Sequence, residues 1–217
     1  SLEKVSVNIS LLEALDQLNE KLTTKNLRPI TFEHDCREGI CGSCGFLING
    51  QPHGHKRGTT TCQLYMRHFK NNALIILEPW RAKTFPIIQD LSVDRNSLEN
   101  LIISGGYFLT ETGNAPDANS IPISPEKAFS SFKTATCIGC GACVAGCRNA
   151  SSSLFVAAKL AHLGQLPQGN NSKKERSKKM RKQMLIEGFG QCSNNLECEA
   201  VCPKEISADW ISWMNKV

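Results

Sequence analysis

Eleven cysteines fall into three groups along this 217-residue chain, and their spacing constrains the fold more than any other feature. In chain order the groups are Cys36, Cys41, Cys44 and Cys62; Cys137, Cys140, Cys143 and Cys147; and Cys192, Cys198 and Cys202. The first reads C-x4-C-x2-C with a distant fourth cysteine, which is the plant-type spacing for a [2Fe–2S] cluster. The second reads C-x2-C-x2-C-x3-C, which is the bacterial ferredoxin spacing. Both spacings predict iron–sulfur clusters.

The third group follows the ferredoxin spacing with one substitution. Asn195 stands where the second cysteine of the run should be, and Cys202 is followed by Pro203, as the run requires. One iron of a cubane would therefore lack its thiolate, which is the soft ligand that iron in such a cluster prefers. The substitution favours a [3Fe–4S] cluster at this group.

The fourth cysteine of each ferredoxin run ligates the other cluster in two-cluster ferredoxins. The same crossing here assigns every cysteine to one of three clusters. The predicted ligands are Cys36, Cys41, Cys44 and Cys62 for [2Fe–2S]; Cys137, Cys140, Cys143 and Cys202 for [4Fe–4S]; and Cys147, Cys192 and Cys198 for [3Fe–4S].

Zinc and disulfides explain these cysteines less well. Structural zinc sites use two close pairs separated by a spacer, whereas the second group places three thiols within seven residues. Disulfide frameworks belong to short secreted domains with even cysteine counts. A Rieske site would need two histidines in place of two cysteines. Because four cysteines already complete the first site, we expect His53, His55 and His68 to be solvent or loop residues.

Apolar spacing predicts an N-terminal domain that mixes helix and sheet. Leucines recur at positions 11, 12, 15, 18 and 22 behind the candidate N-cap Ser10, which predicts an amphipathic helix of about three turns. Residues 46–48 end at the hairpin dipeptide Asn49-Gly50, and residues 73–77 form a second apolar run, so both are predicted strands. A domain boundary is predicted near residue 91, where the composition changes.

Helices are predicted for most of the chain after the boundary. The candidates are residues 154–163, residues 172–187 and a final helix that Ser207 caps and that holds Trp210 and Trp213. Residues 112–125 are rich in Gly, Asn, Pro and Ser and are predicted to form a long loop. The basic run at 173–182 is predicted to be a solvated helix face, with contact to anionic lipid as the alternative. A net charge of +5 and the lack of interleaved aromatic residues argue against nucleic acid binding.

Four segments together resemble the iron–sulfur subunit family of succinate dehydrogenase and fumarate reductase, in its bacterial, menaquinone-linked branch. They are HDCREGICGSCGFLING at 34–50, CIGCGACVAGC at 137–147, LPQG at 166–169 and CEAVCPKEIS at 198–207. The resemblance spans nearly the whole chain. It implies an α+β protein with a β-grasp plant-type ferredoxin domain over residues 1–91 and an α-helical bacterial-ferredoxin-like domain over residues 92–217. The family opens with a further strand pair, so we expect that pair to be missing here.

The resemblance also implies partners. Electrons would pass between a flavoprotein subunit, which carries FAD, and a quinone at a cytochrome b-type membrane anchor, which carries haem b. The resemblance implies that this quinone is menaquinone. The chain would lie peripherally at the cytoplasmic face of the bacterial inner membrane, which agrees with the reducing compartment that so many free thiols imply. In relatives fitted to ubiquinone the cysteine matching Cys147 precedes a proline, whereas Arg148 follows it here. No quinone contact is therefore assigned to this chain.

The sequence leaves two alternative functions open. One is the iron–sulfur subunit of another flavin-linked reductase, such as a thiol-dependent fumarate reductase, and the other is a free ferredoxin-like carrier. The chain contains no phosphate-binding glycine loop, no G-x-S-x-G nucleophile elbow and no recognisable carboxylate pair. We therefore assign no catalytic residue, and succinate chemistry would belong to the flavoprotein.

Overall fold

The computed structural model describes residues 2, 4–105, 117–120 and 123–217. The α-helices are α1 (Leu11–Thr24), α2 (Asn96–Gly105), α3 (Pro125–Ala135), α4 (Ala142–Ala145), α5 (Ser153–Gly164), α6 (Lys173–Ile186), α7 (Glu197–Ala200) and α8 (Asp209–Lys216). The strands are β1 (Leu47–Ile48), β2 (Gln51–Pro52), β3 (Leu77–Glu78), β4 (Ile87–Gln89) and β5 (Ser92–Val93). The predicted α+β class is confirmed.

Helix α1 begins where the sequence predicts. The Ser10 hydroxyl accepts the backbone N–H of Glu13 at 3.2 Å, and the Glu13 carboxylate accepts the N–H of Ser10 at 2.6 Å. This reciprocal capping satisfies two N–H groups that the helix itself leaves unpaired. The helix has 14 residues, which is longer than the three turns predicted, and its buried leucines at positions 11, 12 and 15 pack against Phe46, Ile48 and Leu64.

A small antiparallel sheet lies beside α1, with strand order β2-β1-β3. Leu47 of β1 pairs with Pro52 on one side and with Glu78 on the other. Asn49 and Gly50 both have positive φ, +51° and +77°, which is the conformation of the predicted two-residue hairpin turn. Of the strand predicted at 73–77, only the last residue, Leu77, lies in β3.

The rest of the chain folds around α5. Its residues 154–158 are all buried, so α5 is apolar on every side and serves as the central helix of this part. Helices α3, α6 and α8 contact it, and α2 packs on α6. Leu47, Trp80 and Phe85 from the first part of the chain join this second core, which places the two cores against each other.

The chain crosses from the first core to the second within the hairpin formed by β4 and β5. Strands β4 and β5 pair on either side of residues 90 and 91. Leu91 belongs to the first core, whereas Val93, two residues later, belongs to the second. The domain boundary near residue 91 stays a prediction.

The structure corrects two details of the helical part. The basic run is not wholly solvated, because Arg176 is only 3% exposed and donates to the carbonyl oxygen of Gly105. The final helix begins one residue later than a Ser207 cap requires, with Ala208 at the N-cap position, although the Ser207 hydroxyl still accepts the N–H of Asp209 at 3.2 Å. Half of the loop predicted at 112–125 lies outside the described residues. No helix in the described ranges is both long enough and apolar enough to cross a bilayer.

Candidate metal centres

The first cysteine group meets at one end of α1. Cys36, Cys41 and Cys44 lie on the first loop (residues 36–45), and Cys62 lies on a short 3₁₀ turn, Thr61–Gln63. The Cys36 and Cys41 thiols lie within hydrogen-bonding reach of each other, and so do those of Cys44 and Cys62. The negative charge of a Cys41 thiolate also raises the pKa of Cys44. The structure therefore brings together all four cysteines that the sequence assigns to [2Fe–2S].

Backbone N–H groups point at the sulfurs of the first group. The N–H groups of Glu38 and Ile40 donate to Cys36 Sγ at 3.3 and 3.5 Å, and that of Ser43 donates to Cys41 Sγ at 3.4 Å. The bonds from Glu38 and Ile40 lower the pKa of Cys36 to about 7. Donors of this kind stabilise a thiolate and are one of the levers on cluster potential.

The pKa values of the Cys44 and Cys62 thiols shift in opposite directions. The bond from Cys44, followed by that from the Thr60 hydroxyl at 3.2 Å, lowers the pKa of Cys62 to about 6. The same bond to Cys62 and burial raise the pKa of Cys44. One thiolate of the pair is thus stabilised before any metal binds.

Three thiols of the second cysteine group line an apolar cavity. Cys137, Cys140 and Cys143 of the second loop (residues 137–147) share this cavity with Cys202, and the Leu154 and Phe155 side chains of α5 cover it. Burial raises the pKa of each of the three loop thiols. The structure therefore groups Cys202 with a loop some 60 residues earlier in the chain, as crossed ligation requires.

The third group lies next to the second. Burial raises the pKa of Cys198 to about 11, and the charges of Cys147 and Cys192 act in the same direction. Helix α4, which carries Cys143 of the second group, packs against α7, which carries Cys198. Asn195 is exposed, and its Nδ2 donates to Ser193 Oγ at 3.1 Å. The two groups therefore adjoin at Cys143 and Cys198.

The first and second loops touch through backbone. A Cβ placed on Gly42 would lie 2.2 Å from the carbonyl oxygen of Ile138 and 3.1 Å from the nitrogen of Cys140. Real Cβ atoms do not approach other atoms so closely, and Gly42 also has φ of +77°. Only glycine allows this contact, and it makes the junction of the two loops tight.

Two side chains that the cysteine pattern did not reveal also lie at this junction. Trp80 is buried and donates from Nε1 to the carbonyl oxygen of Cys140 at 3.0 Å. His53 packs edge-on against Trp80, with ring centroids 5.4 Å apart. The sequence did not link either residue to a cluster, since Trp80 follows a predicted strand and His53 follows a hairpin turn.

His53 is a loop residue, as expected, but it does not face solvent. Its side chain is 1% exposed, and Nδ1 lies 3.0 Å from the Thr61 hydroxyl. Within the described residues Nε2 has no hydrogen-bond partner. Burial, reinforced by the charge of Arg95, lowers the pKa of His53 to about 3, so the ring is neutral.

The donor sets suit iron–sulfur clusters. Within the described residues no three His, Cys, Asp or Glu side chains converge on a single metal ion. The thiolates of a cubane cluster bind one to each iron, and those of [2Fe–2S] bind two to each iron, with the inorganic core between them. A cavity lined by four thiols and N–H groups directed at sulfur fit that kind of group.

Two family models match the chain. The first describes a 2Fe-2S iron-sulfur cluster binding domain and matches residues 3–100, and the second describes a 4Fe-4S dicluster domain and matches residues 133–206. The succinate dehydrogenase iron-sulfur subunit of Bacillus subtilis is 27% identical over 208 residues, which cover 92% of this chain and 77% of that protein. The fumarate reductase iron-sulfur subunit of Escherichia coli O6:H1 is 28% identical over 203 residues, covering 91% and 75%.

Over 91–92% of its length the chain is similar to the iron–sulfur subunits of succinate dehydrogenases and fumarate reductases. A solved structure supports the fold. The Mycobacterium smegmatis Sdh1 complex in the apo form contains a chain that superposes with a TM-score of 0.70 at 21% identity. The match covers 98% of this chain and 85% of that one. The chain therefore combines a [2Fe–2S]-binding domain with a dicluster domain.

Proposed function

We propose that this subunit carries electrons between the flavoprotein subunit of a succinate dehydrogenase or fumarate reductase and quinone at a membrane anchor. One observation carries the proposal: each of the three cysteine groups adjoins the next. The first loop touches the second at Gly42, and α4, which carries Cys143, packs against α7, which carries Cys198. When bound, iron–sulfur clusters take up and release single electrons at potentials set by their surroundings.

The proposed ligand sets are those that the sequence predicts. The first, second and third groups would hold [2Fe–2S], [4Fe–4S] and [3Fe–4S] clusters, with Cys202 in the second set and Cys147 in the third. The chain's own residues would hold the sulfurs, supply N–H donors to the first group and exclude water from the second through Leu154 and Phe155. FAD would lie on the flavoprotein, and haem b would lie on a cytochrome b-type anchor. The quinone would be menaquinone.

The proposed location is peripheral, at the cytoplasmic face of the bacterial inner membrane. The relatives are named as subunits of succinate dehydrogenase and fumarate reductase, and their names do not favour a free ferredoxin-like carrier. Such a carrier would also have little need for two unlike domains held face to face. Two domains that share the junction at Gly42 suit a subunit that conducts electrons from one partner to another.

Purification of the tagged subunit from its own cells tests the proposed function. We expect it to bring a larger FAD-containing protein and a haem-containing membrane protein. Adding succinate to this complex should reduce the iron–sulfur signals seen by electron paramagnetic resonance. The proposal would be contradicted if the subunit purified alone with its clusters and if succinate reduced those clusters in no preparation. That result would support a free carrier.

The substitution Asn195→Cys tests the third cluster. It should supply the missing thiolate and convert the oxidised [3Fe–4S] signal toward a [4Fe–4S] cluster of lower potential, because thiolate favours the fourth iron. Asn195 is exposed and bonds only within its loop in the described structure, so the change should not disturb the core. Asn195→Ser is the matched control and should keep the original signal. An unchanged signal in Asn195→Cys would show that loop geometry, not ligand identity, sets the number of irons.

A further inference from the structure

Arg95, a residue outside all three cysteine groups, contacts both cluster loops at their junction. Its Nη1 donates to the carbonyl oxygen of Gly42 at 2.7 Å and lies 3.4 Å from the carbonyl oxygen of Cys140. Trp80 donates to the same Cys140 oxygen. Because Gly42 belongs to the first loop and Cys140 to the second, one guanidinium ties the two loops together.

The charge of Arg95 is held in a fixed position. Its Nη2 lies 3.2 Å from a carboxylate oxygen of Glu33, and the side chain is 22% exposed. The Ser92 hydroxyl donates to the other oxygen of Glu33 at 2.8 Å and so orients that carboxylate. A planar guanidinium with several donors is suited to bridging a carboxylate and two carbonyl groups at once.

The positive charge reaches the groups around the junction. Its Nη1 lies against backbone carbonyls of both cluster loops, 2.7 Å from that of Gly42 and 3.4 Å from that of Cys140. At His53 burial and the same charge both disfavour the imidazolium. Because the Arg95 side chain is 22% exposed, solvent screens its charge less than that of a surface residue.

We propose that Arg95 is a positioning residue that fixes the first loop against the second and raises the reduction potentials of the clusters bound at both. A cluster gains one negative charge on reduction, and a fixed positive charge nearby stabilises that reduced state. Glu33 carries the opposite charge and reduces the effect. The inference rests on the proposed function only in requiring that the first and second groups hold clusters.

Redox titration of the purified complex, followed by electron paramagnetic resonance, tests this role. Arg95→Gln removes the charge and should shift the potentials of the first and second clusters to more negative values. Arg95→Lys keeps the charge and should leave both close to wild type. Glu33→Gln should shift both in the positive direction. Arg28→Gln, which removes a charge from an exposed ion pair with Asp90, is the matched control and should shift neither.

The opposite signs separate this role from simple support of the fold. A structural role alone would make Arg95→Gln and Glu33→Gln change the protein in the same direction. If Arg95→Gln fails to assemble, Glu33→Gln still decides, and an unchanged or more negative potential in that variant overturns the proposal. Equal shifts in Arg95→Lys and Arg95→Gln also overturn it. Iron analysis of the wild-type complex separates these outcomes from a failure of the proposed function, in which one or both groups would bind no cluster.

Discussion

Cys202→Ala should abolish the [4Fe–4S] cluster and leave the [2Fe–2S] cluster intact. The Cys202 thiol lines the cavity of the second group, although Cys192 and Cys198 are much closer to it in sequence. Removing one of four thiolates leaves an iron atom without its soft ligand in a buried apolar site, where no solvent-exposed donor can replace it. The expected result is loss of essentially the whole [4Fe–4S] signal, together with loss of at least the iron atom that Cys202 would bind.

Cys198→Ala is the matched control for this prediction. It removes a thiol from the same run, four residues earlier, and should affect the third cluster first. Electron paramagnetic resonance of oxidised and reduced protein distinguishes the two clusters. If Cys202→Ala removed the [3Fe–4S] signal and Cys198→Ala removed the [4Fe–4S] signal, the crossed assignment would be wrong. The crossing also matters for stability, because a cluster bound at the second group would link the second loop to the chain just before α8.

Gly42→Ala should destabilise the subunit by about 3 kcal/mol or more, with loss of both clusters at the junction. The new Cβ would lie 2.2 Å from a backbone carbonyl oxygen, which no change of rotamer can relieve. The φ of +77° adds strain that an L-residue with a side chain does not tolerate well. The first and second loops would have to separate, and Arg95 would lose one of its carbonyl partners.

Gly50→Ala is the matched control, because Gly50 also has φ of +77° but a Cβ placed on it would have nothing within 4 Å. It should cost only the backbone strain, about 1 kcal/mol. Urea denaturation and iron analysis of both variants separate strain from close contact. Equal destabilisation by the two substitutions would show that the contact between the loops contributes little.

Local sequence patterns determined much of this protein. The spacing of the cysteines predicted three thiol groups because most ligands of each cluster lie on a short, tightly turned segment. The capping box at Ser10 and the leucine spacing predicted α1, and Asn49-Gly50 predicted the hairpin, because each of these depends on hydrogen bonds or packing among near neighbours. The crossed position of Cys202 also followed from the sequence, since the ferredoxin run carries its pairing rule with it.

Only the tertiary structure decided what surrounds the thiol groups. His53 was expected to be a loop residue and is buried, and Arg95 and Trp80 had no signal that linked them to a cluster. The reason is that Trp80 and Arg95 meet partners 45 to 60 residues away, where two separate cores come together. Periodicity and ligand spacing report local geometry, whereas a contact such as that of Gly42 with Ile138 depends on how the two parts pack. Local sequence spacing therefore predicted the ligands, whereas the charge and hydrogen bonding around them depend on the tertiary structure.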